Sequence, residues 1–531
     1  MRENTVIDRL AALANMVVKI VGATIFFLLG WYSFRYTRYM NPLGDENSID
    51  VHDSMGRNLL IFVITVVGVI ALLALEKRLS PKVQKWILRI SVAFMTLWVG
   101  GWGFWWITTV DRQPVADQAF VYGGATYFMN GEYSFLQPGS YCSVYPHQLG
   151  LIALIELFFH VVGEFNYFAC QVLLVGMAIG IALSGYWMIS QLTKKLAVAV
   201  AYCIMMLGCF PLFFYTGWVY GDIPGAFFTL LVACFLIKYS NTGHWGWLAG
   251  IVVSALFAVL TRKNSLIMLV ALCLTAGIYA LVRKDRKLII GLLLAAVLPG
   301  LSYQAIYKMY ELRSGMEHQD GIPAMSFVAM GMQERNGNFG WYSEYCNEVY
   351  FENEMNAKLA AETSKRDIKA RLWEFQENPS YAVNFYREKI LSQWNAPLYQ
   401  CMYFGAQYFE GKYPREGSLA DKLNGEYLLV ILGICDRLQF ILYVGMLCYF
   451  LFGVRKDSNI LHLFLAVTII GGFFFSIMWE AKARYIFPYY IMMFSYTGMG
   501  YVGLITQIQK LINRKNKIKE KDNVIPFERV A

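Results

Sequence analysis

Two aspartates six residues apart, Asp111 and Asp117, stand just behind an apolar run in "TTVDRQPVADQAFVYGG". A third, Asp222, opens another apolar run in "WVYGDIPGAFF"; Arg262 and Lys263 sit together in "LTRKNS"; Glu480, Lys482 and Arg484 fall within "WEAKARYIFP". A carboxylate within hydrogen-bond reach of a hydroxyl or amine acts as a general base. Guanidinium and ammonium groups hold a phosphate, arginine in bidentate fashion. Sugar transfer from a polyprenyl phosphate needs both, because a base activates the acceptor while cations stabilise the charge gathering on the departing phosphate. Each group also has a plainer reading. Charges at the rim of a bilayer cost far less than at its centre, so any of them serves as an interfacial anchor or snorkelling side chain. Asp117 and Asp222 also read as helix N-caps, the latter ahead of Pro224 in the first turn. Glu480 and Arg484, four apart, read as a salt bridge on one helical face.

The elements that must position these groups are membrane helices. The 531 residues are 57% hydrophobic and 16% charged, with a mean hydropathy of +0.42, where a soluble chain carries about a quarter charged residues. Apolar runs of about 18 or more residues recur from end to end. The fold class is therefore all-α polytopic membrane protein. Twelve spans are expected, near 13–33, 58–76, 86–107, 166–190, 195–215, 219–238, 244–261, 265–283, 287–306, 427–453, 459–478 and 485–508. The basic clusters at 76–85, 193–195, 282–287, 454–456 and 509–522 then share one side, which the positive-inside rule makes the cytoplasm. Both termini lie there; Arg35 and Arg38 fall outside and count against the scheme. The net charge of +9 is thus an orientation signal and not a nucleic-acid one. All the candidate chemistry lands on the opposite, outer side.

Residues 1–85 form two N-terminal helices, 86–306 the core, and 427–508 the last helices, with 509–531 a basic cytoplasmic tail. The stretch "PHQLGLIALIELFFHVVG" is short and carries Glu156 and His160, so it reads as a surface helix rather than a span. Residues 108–165 then make an outer loop with two surface helices, about 115–130 and 146–162. Residues 307–426 are polar but strongly patterned, a small extracytoplasmic domain rather than a linker. The start of the chain leads into a full-length helix with no small-residue cleavage site, so no cleavable leader is expected. Ten cysteines show no CxxC pair, and only Cys142, Cys346 and Cys401 fall in polar loops, which argues against a disulfide framework and leaves one pair open. No Gly-rich phosphate loop appears, so a nucleotide-sugar donor is not expected.

In order along residues 86–500, the motifs resemble those of C-type-fold membrane glycosyltransferases, the protein O-mannosyltransferase and aminoarabinose-transferase group. "ADQAFVYGGATYFMNGEYSF" is similar to the acidic residue ahead of the family's first surface helix, "YPHQLGLIALIELFFHVVG" to its second surface helix, "YGDIPG" to its second acidic site, and "EAKARY" to its "ExxxRY". The outer segment from "GNFGWYSEYCNEVYF" to "NAPLY" resembles uncharacterised bacterial members.

The resemblance implies that Asp117 is the catalytic base, with Asp111 the second candidate or a residue orienting Arg112. It departs from the family in having Gln118 where many relatives have a second acid. Asp222, His147, Tyr145 and Glu480 are implied substrate contacts, and Arg262, Lys263, Arg484 and Tyr485 a grip on the lipid phosphate. No metal-ligand spacing stands out, and His147 beside Pro146 also reads as an ordinary capping residue; a divalent metal is left open as the only cofactor. The implied partners are a polyprenyl-phosphate sugar, a cell-envelope acceptor and membrane lipid. The alternatives are a lipid-linked glycan polymerase or ligase, which would share this site, and a flippase or transporter, which would place ionisable residues in mid-helix. Asp436 and Arg437 are the main pair of that kind, expected to partner each other inside the bundle.

Overall fold

The computed structural model describes residues 6–40, 48–110, 114–335, 337–402 and 416–522. Among them, nine helices are long and apolar enough to cross a membrane: Arg9–Arg35, Met55–Arg78, Pro81–Thr109, Tyr167–Leu192, Asp222–Thr242, Lys263–Arg283, Arg286–Ser314, Leu428–Gly453 and Ile460–Met478. Two bent pairs raise the number to eleven if each is one span. The all-α polytopic class expected from hydropathy is the class observed, and the three remaining expected spans differ in informative ways. Residues 195–215 form a pair, Leu196–Leu207 and Phe210–Gly217, bent by 55°. Trp245–Thr261 has only 17 residues. The last helix runs from Phe487 to Asp522, well beyond 508, with its first half at the centre of the bundle, where Tyr490, Phe494 and Tyr496 are fully buried. By contrast, Met55–Arg78 shows Leu59, Leu60, Ile64 and Val67 to its surroundings, as lipid-facing helices do.

Local chemistry sets the helix ends. Ser54 and Ser80 are N-caps that accept from the Arg57 and Val83 amides, and Pro81 occupies the first turn behind Ser80. Asp285 caps Arg286–Ser314 and also accepts from the Tyr239 hydroxyl at 3.0 Å. Such contacts show which ends lie together. Glu76 accepts from the Ala197 amide at 3.2 Å, and Asn15 donates to the Lys456 and Ser458 carbonyls at 3.0 and 2.9 Å. The ends bearing the basic clusters therefore share one face of the bundle, as the charge pattern required.

The opposite face carries the loops. Helix Ala116–Met129 follows the third span, and Ser134–Val144 with Pro146–Val162 forms the second bent pair, at 104°. This second element is not an unattached surface helix. Glu156, on its buried face, accepts from Tyr310 at 2.6 Å and pairs with Arg313 at 2.7 Å, pinning it to the end of Arg286–Ser314. That span runs eight residues past 306. Beyond it, four helices (Ala324–Met330, Tyr345–Glu352, Ala357–Glu377 and Pro379–Trp394) enclose two small apolar clusters around Tyr350 and Phe385. An unanticipated hairpin, Tyr36–Met40 with Ser48–His52, extends the first helix. It accounts for the outlying Arg38, which is buried and paired with Asp50 at 2.5 Å and with Glu388. Asp436 and Arg437 do not pair with each other. Thr37 donates to Asp436, and Arg437 donates to the Gly433 carbonyl one turn back.

All ten cysteines are free, nine buried and Cys273 half-buried, so added thiols report cleanly on sidedness. Single cysteines replacing the exposed Lys284 and Lys456 are expected to react with an impermeant maleimide from one side of the membrane, and one replacing Glu344 from the other. Labelling of Lys284→Cys and Glu344→Cys from the same side would overturn this arrangement.

Candidate functional site

A cavity of about 370 Å³ opens where the helix ends meet the outer domain. Asp117, Tyr145, His147, Arg262, Lys263, Glu480, Arg484 and Tyr485 all line it. Asp222 lies directly behind Arg262. Asp111 lies outside the described residues. Segments more than 360 residues apart in the chain thus converge on one space.

Asp117 sits in the first turn of its helix but is not the cap; Val115 holds that position and makes no side-chain cap bond. Ala116, just before it, has φ +50°, a left-handed conformation that costs a residue with a Cβ about 1 kcal/mol or more. The Asp117 side chain is 45% exposed, and its Oδ2 lies 3.6 Å from Arg484 Nη2. That separation exceeds a direct charge-assisted hydrogen bond, so the carboxylate is attracted but not locked. Gln118, the next residue, is buried and accepts from the Tyr167 hydroxyl at 2.6 Å and the Val219 amide at 3.0 Å. It ties the loop ahead of Asp222 to the base of this helix.

Asp222 and Arg262 present the opposite case. Asp222 is 1% exposed and holds Arg262 at 2.5 Å; Gly221, not Asp222, occupies the cap position. Neither the cap nor the snorkelling reading describes this buried pair. It forms because the backbone carrying Arg262 is clasped between two glycines. A Cβ on Gly221 would stand 2.1 Å from the Thr261 carbonyl oxygen, and one on Gly150 2.8 Å from that of Leu260. The glycines of "YGDIPG" and "HQLG" are therefore packing requirements of the site. Arg262 Nη2 and both Asp222 carboxylate oxygens are buried without a hydrogen-bond partner of good geometry among the described residues, so the pair is held by charge more than by aligned hydrogen bonds. The Tyr485 ring lies under the guanidinium at 5.4 Å.

Glu480 and Arg484 do not share a helical face. Residues 479–482 are extended, and Ala483–Ile486 is a single 3-10 turn. The chain opens here because it pairs with the outer domain. Ala481 N donates to the Gly340 carbonyl at 2.6 Å, and Trp341 bridges Ala481. Glu480 instead accepts from the Tyr485 hydroxyl. Its burial raises its carboxyl above the usual range, with Lys482, that hydrogen bond and Arg484 opposing. Arg484 is 2% exposed and stacked near Trp218 and Tyr220, at 5.5 and 5.0 Å. Behind the loop Lys389, fully buried, donates to the Gly331 and Ile477 carbonyls and so clamps the outer domain to the end of a span.

His147 lies in the turn Pro146–Gln148, and its backbone carbonyl accepts from Tyr303 at 3.2 Å. Burial, with Lys263 nearby, lowers the imidazole to about 3, so it is neutral at pH 7 and acts as a hydrogen-bonding group. Further lining residues that the sequence reading did not name include Gln148, Tyr220 and Tyr342. All three stand inside segments already singled out. Among the described residues no three His, Cys, Asp or Glu side chains converge as a metal site.

A family model described as "Conserved hypothetical integral membrane protein" matches residues 11–376. That is more than half of the chain, which belongs to this family. No curated protein matches it. The family description gives membrane character and no activity, and its matched region includes Asp117, Asp222 and Arg262 but stops short of Glu480–Tyr485.

Two predictions concern the scaffold of the site. Removing one partner of a buried ion pair strands the other charge, at a cost of about 3–5 kcal/mol. Asp222→Ala is therefore expected to lower the thermal midpoint in detergent sharply, and Asp222→Ala with Arg262→Met to recover part of it; equal loss in both would show the two groups uncoupled. Burial lowers the Lys389 ammonium from 10.5 to about 7, with Glu480 opposing. Between those values the unfolded chain holds a proton that the folded chain has released, so stability rises with pH across the window. The midpoint should climb over that range, and the climb should flatten in Lys389→Met.

Proposed function

We propose that this integral membrane protein transfers a sugar from a polyprenyl-phosphate carrier to an acceptor on the extracytoplasmic side of the cell membrane. One observation carries the reading. A single cavity at the helix ends holds an accessible, unlocked carboxylate, Asp117, beside three cationic side chains, Arg262, Lys263 and Arg484. Lys and Arg crowd the loops at the far end of the bundle, which supports placing that end, and both termini, in the cytoplasm. The order of the motifs and their resemblance to C-type glycosyltransferases support the same chemistry.

In this reading the lipid phosphate sits against Arg262, Lys263 and Arg484, and Asp117 faces the acceptor. The acceptor O–H proton passes to the Asp117 carboxylate as its oxygen bonds to the sugar's anomeric carbon. The anomeric C–O bond to phosphate breaks, and its electron pair leaves on the phosphate, where the cations stabilise it. Asp222 positions Arg262 and does not touch substrate. Glu480, Tyr145 and His147 contact the sugars, and Tyr485 orients Glu480. Asp111 is the alternative base. A flippase would place ionisable residues along a mid-membrane path, whereas Asp436, the main such carboxylate, is tied to Thr37 and does not line the cavity.

The test is release of free polyprenyl phosphate from a panel of polyprenyl-phosphate sugars by purified protein, with envelope extract as acceptor source. Release from one donor is expected, falling about 10²–10⁴-fold in Asp117→Asn with an unchanged melting curve. Equal release by Asp117→Asn would move the role to Asp111. Release from no donor, with translocation of the lipid instead, would sink the reading.

A further inference from the structure

Part of the cavity wall is built by residues that the grip on the phosphate does not use. Tyr145, from the first loop, and Tyr342, just ahead of helix Tyr345–Glu352, both line it. A single amide ties them together. Asn347 Oδ1 accepts from the Tyr145 hydroxyl at 2.9 Å, while its Nδ2 donates to the Tyr342 hydroxyl at 3.2 Å and to Glu344 at 2.7 Å. Both ends of the amide are engaged, so the two phenols are held in fixed relation before anything binds, which lowers the ordering cost of a ligand. Tyr342 is still 37% exposed. Its ring carries Lys482 at 5.0 Å, and the carboxylates of Asp117 and Glu480 line the same space.

This wall combines aromatic faces with planar carboxylate and amide groups, and its charges are of both signs. A sugar ring matches that combination: its C–H face lies on an aromatic ring while its hydroxyls meet carboxylates and amides. The phosphate is provided for elsewhere, by Arg262 and Lys263. A peptide would be captured through an open strand edge, but the extended backbone at this rim is already paired, Ala481 with Gly340 and Trp341. We propose that Tyr145 and Tyr342, held in register by Asn347 as a positioning residue, form an acceptor subsite for a saccharide, so that the hydroxyl presented to Asp117 belongs to a glycan and not to a peptide.

The inference rests on the transfer reading for its place in the reaction, so it is tested in two arms. In the first, donor-free protein in detergent is titrated calorimetrically with neutral oligosaccharides and, in parallel, with serine- and threonine-containing peptides. Saccharides are expected to bind, about tenfold more weakly in Tyr342→Ala and Asn347→Ala and near wild-type strength in Tyr342→Phe, which keeps the ring. Binding of peptides alone, or saccharide binding indifferent to Tyr342→Ala, overturns the subsite. In the second arm, with a donor that wild type cleaves, Tyr342→Ala should raise the saccharide KM about tenfold relative to the donor KM. A rise in the donor KM alone would put the donor's sugar on these rings and overturn the acceptor assignment. Failure to release polyprenyl phosphate strikes the transfer reading, while the calorimetry still decides the saccharide site.

Discussion

A guanidinium buried at the end of a membrane bundle must have a partner, and the arrangement of the cavity follows from how Arg262 finds one. Asp222 meets it at 2.5 Å on the buried side, which fixes the depth of both. The clasp of Gly150 and Gly221 on Leu260 and Thr261 brings the first-loop helix and the start of helix Asp222–Thr242 against the same three residues. With that corner set, Tyr485 packs under Arg262, and Tyr485 in turn donates to Glu480. The contrast with Asp117, 45% exposed and 3.6 Å from the buried Arg484, separates a carboxylate that holds the structure from one that is accessible. Distance and exposure make the distinction where residue type does not.

Much of this was legible from the chain. Periodicity and the distribution of Lys and Arg located the helices and the common face of the basic loops, and the rim positions of Asp117, Asp222, Arg262 and Arg484 placed them at one level. What hydropathy misread was local. Trp245–Thr261 is shorter than a span because the backbone turns extended at Arg262, and the last helix, expected over 485–508, continues through a charged stretch to Asp522. The spacing of Glu480 and Arg484 suggested a helical face, but pairing with Gly340 and Trp341 pulls those residues into an extended segment. Likewise, Asp436 and Arg437 are sequence neighbours whose partners are Thr37 and Gly433. Each miss is a long-range contact overriding a local pattern.

The outer domain is the larger lesson. Its composition marks it off from the spans, which suggests a module attached to a finished site. Instead Lys389, Gly331, Gly340 and Trp341 hold the loop that bears Glu480 and Lys482, and Arg38 and Asn395 fasten the domain's far end to the first hairpin. The domain is a wall of the cavity and a splint for its loop, so the proposed subsite at Tyr342 is continuous with the wall that bears Glu480.

The union of Asp117 with Arg484 and of Gly340 with Ala481 also has a meaning in time. Chains grow from the N-terminus, and domains tend to fold in that order. The first loop and the outer domain emerge long before residues 477–486, yet neither meets its partner in the cavity until that last loop has crossed to them. The cavity is therefore closed by the penultimate step of insertion. A chain grown past Asp117 but short of Arg484 carries the carboxylate without its facing arginine.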